Sequence, residues 1–288
     1  MPELPEVETI TRELNKKIVA KKIKAIRVKV PKMVNLSVVQ FKKQLIGQEI
    51  KQVSRRAKMI IIELTNDRYL LIHLKMTGQL IYQKTSGQIA AVGGHSIANG
   101  LKDLPNKFTH IIFIFSDGSH LFFNDLRRFG WMKVVNSSQL SDIRDQYGIE
   151  PFTENWTLKN FQEVLAKYPK RKIKQLILDQ KLIAGVGNIY ADESCFSAKI
   201  KPTRQAGQLK EKEIKNLFFG IAKIMKKSII KGGTSSDTYV RTDGQAGSFR
   251  PYLKVYGREG EGCKVCRSKI NKIKLNGRGT HYCPSCQK

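Results

Sequence analysis

Apolar residues recur at helical spacing from the start of the chain, at Val7, Ile10, Leu14 and Ile18, which predicts an amphipathic helix over residues 5 to about 18. From Lys22 the period falls to two. Ile26, Val28 and Val30 alternate there with Arg27 and Lys29, as in a strand buried on one face. Further strands are predicted at 49–55, 59–64, 69–76, 111–115, 120–123 and 131–135, with Asp117-Gly118 as a hairpin turn. One leading helix followed by many short strands implies an antiparallel β-sandwich. Residues 85–106 contain Gly, Ser and Ala in a weak pattern and read as a mobile loop; residues 137–155 read as a linker. Helical periodicity then returns at 157–167, 173–179, 189–196 and 210–229, before a Gly- and Ser-rich loop at 231–248 and a terminal cysteine unit. The expected fold class is α+β, divided as a sandwich domain at 1–136, the linker at 137–155, a helical domain at 156–250 and the cysteine unit at 251–288.

Composition narrows the partners. A length of 288 residues has room for two domains, and no apolar run is long enough to suggest a membrane span, so a soluble intracellular protein without membrane contact is expected. Lys plus Arg number 52 against 24 Asp plus Glu, a net charge of +28, which points to a polyanionic partner such as nucleic acid. Lysine dominates the excess, and the chain is also rich in Ile and Asn, as coding from an AT-rich genome would produce. The few arginines therefore carry more information. The 5 cysteines do not form a secreted disulfide framework. Cys263-x2-Cys266 and Cys283-x2-Cys286 have the spacing of a zinc ribbon, with Cys195 left as a buried small hydrophobe. Four thiolates close the coordination shell, so one structural zinc ion and no catalytic metal are expected. Between the pairs, the turn Asn276-Gly277-Arg278-Gly279-Thr280 is expected to present Arg278 at its tip.

Four other stretches carry candidate chemistry. In Met1-Pro2-Glu3-Leu4-Pro5-Glu6-Val7-Glu8, loss of Met1 would expose a secondary amine beside the Glu3 carboxylate, a candidate nucleophile. Taken alone, the octet is more simply a helix start, with Pro5 in the first turn and Glu6 and Glu8 complementing the dipole. Gly185-Val186-Gly187-Asn188 runs into a helix and reads either as a plain cap or, with Lys170, Arg171, Lys172 and Lys174 upstream, as a clamp for a DNA backbone. Asn124-Asp125-Leu126-Arg127-Arg128-Phe129-Gly130 sets two cations beside an aromatic ring, which suits either a wedge into a base stack or an ordinary surface turn. Lys58, taken alone, is one exposed strand charge among many.

The opening octet closely resembles that of formamidopyrimidine-DNA glycosylases, bacterial repair enzymes whose nucleophile is an amino-terminal proline. Residues 185–196 resemble the family's helix-two-turn-helix motif, 124–130 its intercalation loop, and the cysteine unit its zinc finger; the matches span nearly the whole chain. The resemblance implies excision of oxidised purines through a Pro2 Schiff base, then β,δ-elimination at the abasic site. Pro2 would be the nucleophile and Glu3 the proton carrier, with Lys58 assisting β-elimination and Arg278 the δ step. It also implies that Met76, Arg127 and Phe129 fill the gap left by an extruded base. Arg128, Lys170, Lys174 and Asn188 would hold phosphates. The implied partner is double-stranded DNA with oxidised bases or abasic sites, bound by a monomer in the cytoplasm, associated with the nucleoid while acting. Three departures stand out. Leu126 replaces a frequent proline, Lys75 a usual glycine, and Phe108 a phosphate-binding histidine. The rival readings are an endonuclease VIII-like enzyme preferring oxidised pyrimidines and a zinc-bearing DNA-binding protein without catalysis.

Overall fold

The computed structural model describes residues 1–95, 101–234, 239–240 and 248–288, arranged in two compact units. Unit 1 comprises Met1–Arg144 with Ile229–Arg250, and unit 2 comprises Asp145–Ser228 with Pro251–Lys288.

Unit 1 opens with helix α1 (Leu4–Ile18), whose stripe Leu4, Val7, Ile10, Leu14 and Ile18 is buried and whose last turn carries Lys16 and Lys17 at the negative end of the dipole. Among the described residues of this unit the strands are β1 (Ile23–Val28), β2 (Ile50–Arg56), β3 (Met59–Leu64), β4 (Arg68–His73), β5 (Gly78–Gln83), β6 (Ile89–His95), β7 (Thr109–Phe115), β8 (His120–Asp125), β9 (Trp131–Asn136) and β10 (Tyr239–Val240). They pair antiparallel in two sheets, β1-β7-β8-β5-β6-β10 and β2-β3-β4-β9. One core, including Ile10, Ile60, Ile72, Leu80 and Phe113, joins α1 to both sheets. Burying that core anchors the start of the chain. Two short α-helices, α2 (Val38–Leu45) and α3 (Ser137–Asp145), lie among these strands in the chain; α3 lies in the segment expected to be a linker.

Two strands depart from the sequence expectation. β4 stops at His73 because the chain turns tightly, Gly78 N–H donating 2.9 Å to Leu74 O, and an added Cβ on Gly78 would sit 2.5 Å from that oxygen. β5 then begins at Gly78 and is buried over five consecutive residues, so it lacks the alternation that marks a half-exposed strand. The loop expected at 85–106 contains β6, while 96–100 lie outside the described residues. Its glycines explain the weak signal. A Cβ on Gly93 would meet the Ile10 side chain at 2.4 Å, and one on Gly94, whose φ is +124°, would meet Gly78 O at 2.3 Å. Small residues are what let α1 lie close to this strand. Gly93→Ala is expected to cost about 1–3 kcal/mol through overpacking, read as a lower urea midpoint at unchanged slope. An unchanged midpoint would mean that α1 yields freely there.

Unit 2 contains α4 (Leu158–Ala166), α5 (Ile173–Leu178), α6 (Asn188–Ser197), most of α7 (Glu211–Ile230) and the hairpin β11 (Asn271–Leu275) with β12 (Arg278–Tyr282). Trp156 stacks on Phe218 with centroids 5.0 Å apart, and Tyr190 OH lies 2.6 Å from Ser228 Oγ in the interior. Glu193 on α6 accepts the backbone N–H groups of Lys254, Val255 and Tyr256, which fixes the chain as it enters the cysteine unit. Among the described residues no helix is long and apolar enough to cross a membrane.

Candidate active site

At the start of α1, Pro2 is buried, and Glu3 and Glu6 are only 4% and 2% exposed. Glu6 holds this end of the chain with both carboxylate oxygens. Oε2 accepts the Glu3 N–H at 2.9 Å and Oε1 accepts the Thr234 N–H at 2.8 Å. Sequence reasoning assigned Glu6 only to the helix dipole, because Thr234 is 228 residues away. Thr234, in the Gly- and Ser-rich loop at 231–248, spends its amide on Glu6, and residues 235–238 and 241–247 of that loop lie outside the described residues.

Lys58 is 6% exposed, in contrast to the strand charge that residue counting alone suggests. It follows Ala57 in the two-residue turn joining β2 to β3, where Arg56 pairs with Met59 and Ala57 takes φ +53°. The charge acts on the amino terminus. Burial lowers the pKa of the Met1 amine below its ordinary range; Glu3 and Glu6 oppose that shift and Lys58 reinforces it. The Met1 amine stands one residue upstream of the Pro2 nitrogen. With Met1 attached, the Pro2 nitrogen is an amide and no nucleophile.

The 124–130 loop is built around the buried Asp125. Its carboxylate accepts the Thr77 hydroxyl, the Arg127 N–H at 3.1 Å and the Gly130 N–H at 2.7 Å, and Thr77 Oγ1 also receives the Arg127 N–H at 2.9 Å. Asp125 thereby ties the loop to the turn that carries Met76. Arg127, Arg128, Phe129 and Met76 are exposed, and the Arg127 guanidinium lies 4.6 Å from the Phe129 ring centre. Lys75, in the position where a glycine is usual, holds φ +50°, a conformation glycine takes without strain.

His73 accepts the Lys75 N–H on Nδ1 at 2.9 Å and tilts against Trp131 at a centroid distance of 5.6 Å. Burial, then the charges of Lys75 and Lys58, lower its pKa to about 3. The folded protein therefore resists protonation that the unfolded chain accepts below the ordinary value of 6.5. Stability is expected to fall with pH from that value down to about 3, by up to about 1.4 kcal/mol per pH unit from this group. Urea denaturation at pH 7 and pH 5 should show a smaller loss for His73→Asn than for the parent. Equal losses would remove His73 from the account.

In unit 2 the glycine turn before α6 is stapled by Gln180, whose Oε1 accepts Gly185 N–H at 2.9 Å and whose Nε2 donates to Val186 O at 2.8 Å, with Gly185 at φ +86°. Lys170 and Lys172 are exposed. Lys174 departs from the expectation of a phosphate contact. It is 1% exposed, and its ammonium is committed to Asp192 Oδ1 at 2.6 Å, Thr280 Oγ1 at 2.8 Å and Gly279 O at 3.1 Å. The apolar spacing of α5 puts Lys174 on its inner face, a fact invisible while the segment is read as a run of cations. Asn188 Nδ2 donates to the same Gly279 O at 3.0 Å. Arg278 is exposed as the first residue of β12, just past the Asn276-Gly277 turn, and lines a cavity of about 220 Å³ with Arg171, Gln175 and Asp179.

The sulfurs of Cys263, Cys266, Cys283 and Cys286 all lie within 4.8 Å of one another, with Cys263–Cys286 at 3.9 Å and Cys266–Cys283 at 3.4 Å. A zinc ion with Zn–S bonds of about 2.3 Å requires tetrahedral edges of about 3.8 Å. The cluster fits zinc with little adjustment, and all four positions are filled by protein.

Three sequence profiles match the chain: the formamidopyrimidine-DNA glycosylase N-terminal domain over residues 1–132, the formamidopyrimidine-DNA glycosylase H2TH domain over 147–240, and a zinc finger found in FPG and IleRS over 260–288. The chain is 43% identical over 291 aligned positions to a formamidopyrimidine-DNA glycosylase of Listeria monocytogenes and 40% identical to one of Streptococcus mutans, covering 100% of each protein. Two crystal structures of Lactococcus lactis Fpg are similar at 38% identity. One, in complex with DNA containing an abasic site, has a TM-score of 0.85 and 99% coverage of both chains. The other, with DNA containing Fapy-dG, has a TM-score of 0.86 and covers 99% of this chain and 100% of that one.

Proposed function

Because the chain belongs to the formamidopyrimidine-DNA glycosylase family, we propose that it excises oxidised purines, 8-oxoguanine and formamidopyrimidines, from duplex DNA and then cleaves the abasic strand. The observation that carries this reading is Pro2, buried at the start of α1 beside the buried Glu3 carboxylate, with Lys58 close enough for its charge to act on the amino terminus. An unprotonated amine held beside a carboxylate is what nucleophilic attack on a sugar carbon needs.

The damaged base leaves the stack before chemistry, at a cost of a few kcal/mol that a poorly stacked lesion reduces. Arg127, Phe129 and Met76, exposed on two loops tied together by Asp125, refill the gap; Arg128, Lys170 and Asn188 hold phosphates. Once Met1 is gone, the Pro2 nitrogen bonds to C1′ as the glycosidic C–N bond breaks; the base departs with the bonding electrons and takes up the proton that the attacking amine loses. Glu3 supplies the proton that opens the sugar ring at O4′, leaving an iminium. The iminium acidifies C2′–H. Loss of that proton with cleavage of C3′–O is β-elimination, assisted by Lys58. Loss of the C4′ proton with cleavage of C5′–O is δ-elimination, assigned to Arg278. The zinc ion stiffens the hairpin and takes no part in these steps.

Single-turnover nicking of duplexes carrying 8-oxoguanine or an oxidised pyrimidine, each opposite its normal partner, tests the substrate assignment. Oxidised purine is expected to react at least about tenfold faster, a selectivity worth about 1.4 kcal/mol in the transition state. The reverse preference would reassign the enzyme to pyrimidines, and binding without nicking would make it a noncatalytic damage binder.

A further inference from the structure

The hairpin that carries Arg278 is held from inside the fold by a chain of contacts beginning on helix α6. Asp192, 0% exposed, meets Lys174 Nζ at 2.6 Å through Oδ1 and accepts the His281 N–H at 2.9 Å through Oδ2. Lys174 Nζ donates to Thr280 Oγ1 at 2.8 Å and to Gly279 O at 3.1 Å, and the Thr280 hydroxyl donates to Arg278 O at 3.3 Å. Asp192 thus reaches the backbone on both sides of Gly279. We propose that Asp192 is a positioning residue that, through Lys174 and Thr280, sets the Arg278 turn for the second elimination.

A buried ion pair is a costly way merely to stabilise a fold, since apolar residues of similar size often do as well. Here the ammonium does something an apolar pair cannot. It supplies donors to two acceptors of the hairpin, so the backbone next to Arg278 has one satisfied arrangement and penalised alternatives. His281, bridged between Asp192 and Glu259, and the Lys272–Glu259 pair extend the contacts along the same hairpin. The zinc cluster ties the hairpin's far ends and leaves its tip to these contacts and to Asn188, whose Nδ2 donates to Gly279 O at 3.0 Å.

The inference rests on assigning δ-elimination to Arg278, so the test separates the two. Asp192→Asn keeps the shape and an acceptor for the His281 N–H but removes the charge opposite Lys174. Thr280→Val removes one acceptor and leaves the ion pair whole, which covers the case in which Asp192→Asn fails to fold. Both full-length zinc-loaded variants are compared with Arg278→Ala on a duplex carrying a preformed abasic site, and amide hydrogen exchange is followed through residues 276–280. Each variant is expected to speed exchange in that segment at least tenfold with exchange in β3 unchanged. Each should also lower the δ-to-β product ratio at least fivefold while release of 8-oxoguanine stays within twofold.

A double variant, Lys174→Met with Asp192→Leu, restores packing without donors. It should recover the melting temperature but not the product ratio, whereas recovery of both would reduce the pair to a structural role and overturn the proposal. Unchanged exchange at 276–280 in both single variants would also overturn it. Faster exchange with an unchanged product ratio refutes the link to δ-elimination. In that case a lowered ratio in Arg278→Ala keeps the assignment of Arg278, and an unchanged ratio removes that assignment as well.

Discussion

A form of the protein that retains Met1 is expected to lose the covalent borohydride adduct on an 8-oxoguanine duplex and to release base at least about a thousandfold more slowly, as expected when the sole nucleophile of a covalent mechanism is removed. The physical reason lies in one atom. Bonded to the Met1 carbonyl, the Pro2 nitrogen has its lone pair delocalised into an amide; freed, it is a secondary amine at a buried position beside the Glu3 carboxylate. Pro2→Gly separates two contributions. It still yields an amine, but a primary one, whose imine can lose its nitrogen proton and become a neutral, weaker electron sink. A proline iminium has no such proton to lose. Pro2→Gly is therefore expected to trap on a preformed abasic site while releasing 8-oxoguanine at least about tenfold more slowly, a loss of about 1.4 kcal/mol in transition-state stabilisation. Peptide mapping of the trapped adduct decides the matter: an adduct on an internal lysine in the parent protein would displace Pro2 from its role.

Removing the metal ranks second. Structural zinc contributes about 10–16 kcal/mol of apparent binding free energy in small zinc-finger units, far more than the few apolar contacts of the cysteine unit can replace. That unit's own cluster is small, built on Val255, Cys263, Ile270 and Cys283. Cys266→Ser, or chelation of the parent protein, is expected to abolish zinc retention and to weaken duplex binding and abasic-strand cleavage at least about a hundredfold, about 2.7 kcal/mol in each free energy. Cys195→Ser should keep the metal, because Cys195 lies apart from the cluster, buried in α6, where burial pushes its thiol pKa up. Zinc content measured beside cleavage checks both variants. Cleavage at the parent rate by metal-free protein would mean that the hairpin holds its shape without the ion.

Much of the architecture was legible because it rests on periodicities that burial imposes directly. The stripe on α1, the strands at residues 59–64 and 111–115, and the long helix ending near Ile230 are each amphipathic or apolar enough to announce themselves. β5 and β6 were hidden for opposite reasons. β5 is buried on both faces, and β6 carries Gly93 and Gly94 where the Ile10 side chain of α1 and the neighbouring backbone come too close for a Cβ. Residue identity alone suited Glu6 to a helix start and Lys174 to a phosphate; their roles depend on Thr234 and on Asp192, Gly279 and Thr280.

The sequence by itself determined the chemistry on offer: a proline next to an amino terminus, a carboxylate beside it, four cysteines at zinc-ribbon spacing, and arginines with an aromatic ring in one loop. Those features are local, so spacing along the chain is enough to read them. The tertiary structure decided which charges are buried and what each one holds. Lys58 became a neighbour of the amino terminus, Asp125 the centre of the 124–130 loop, and Lys174 an internal strut instead of a surface cation. A lysine's sequence neighbours do not state its dielectric or its partners; those follow from packing between segments distant in the chain, and they set whether a charge binds DNA, shifts a pKa or supports a hairpin.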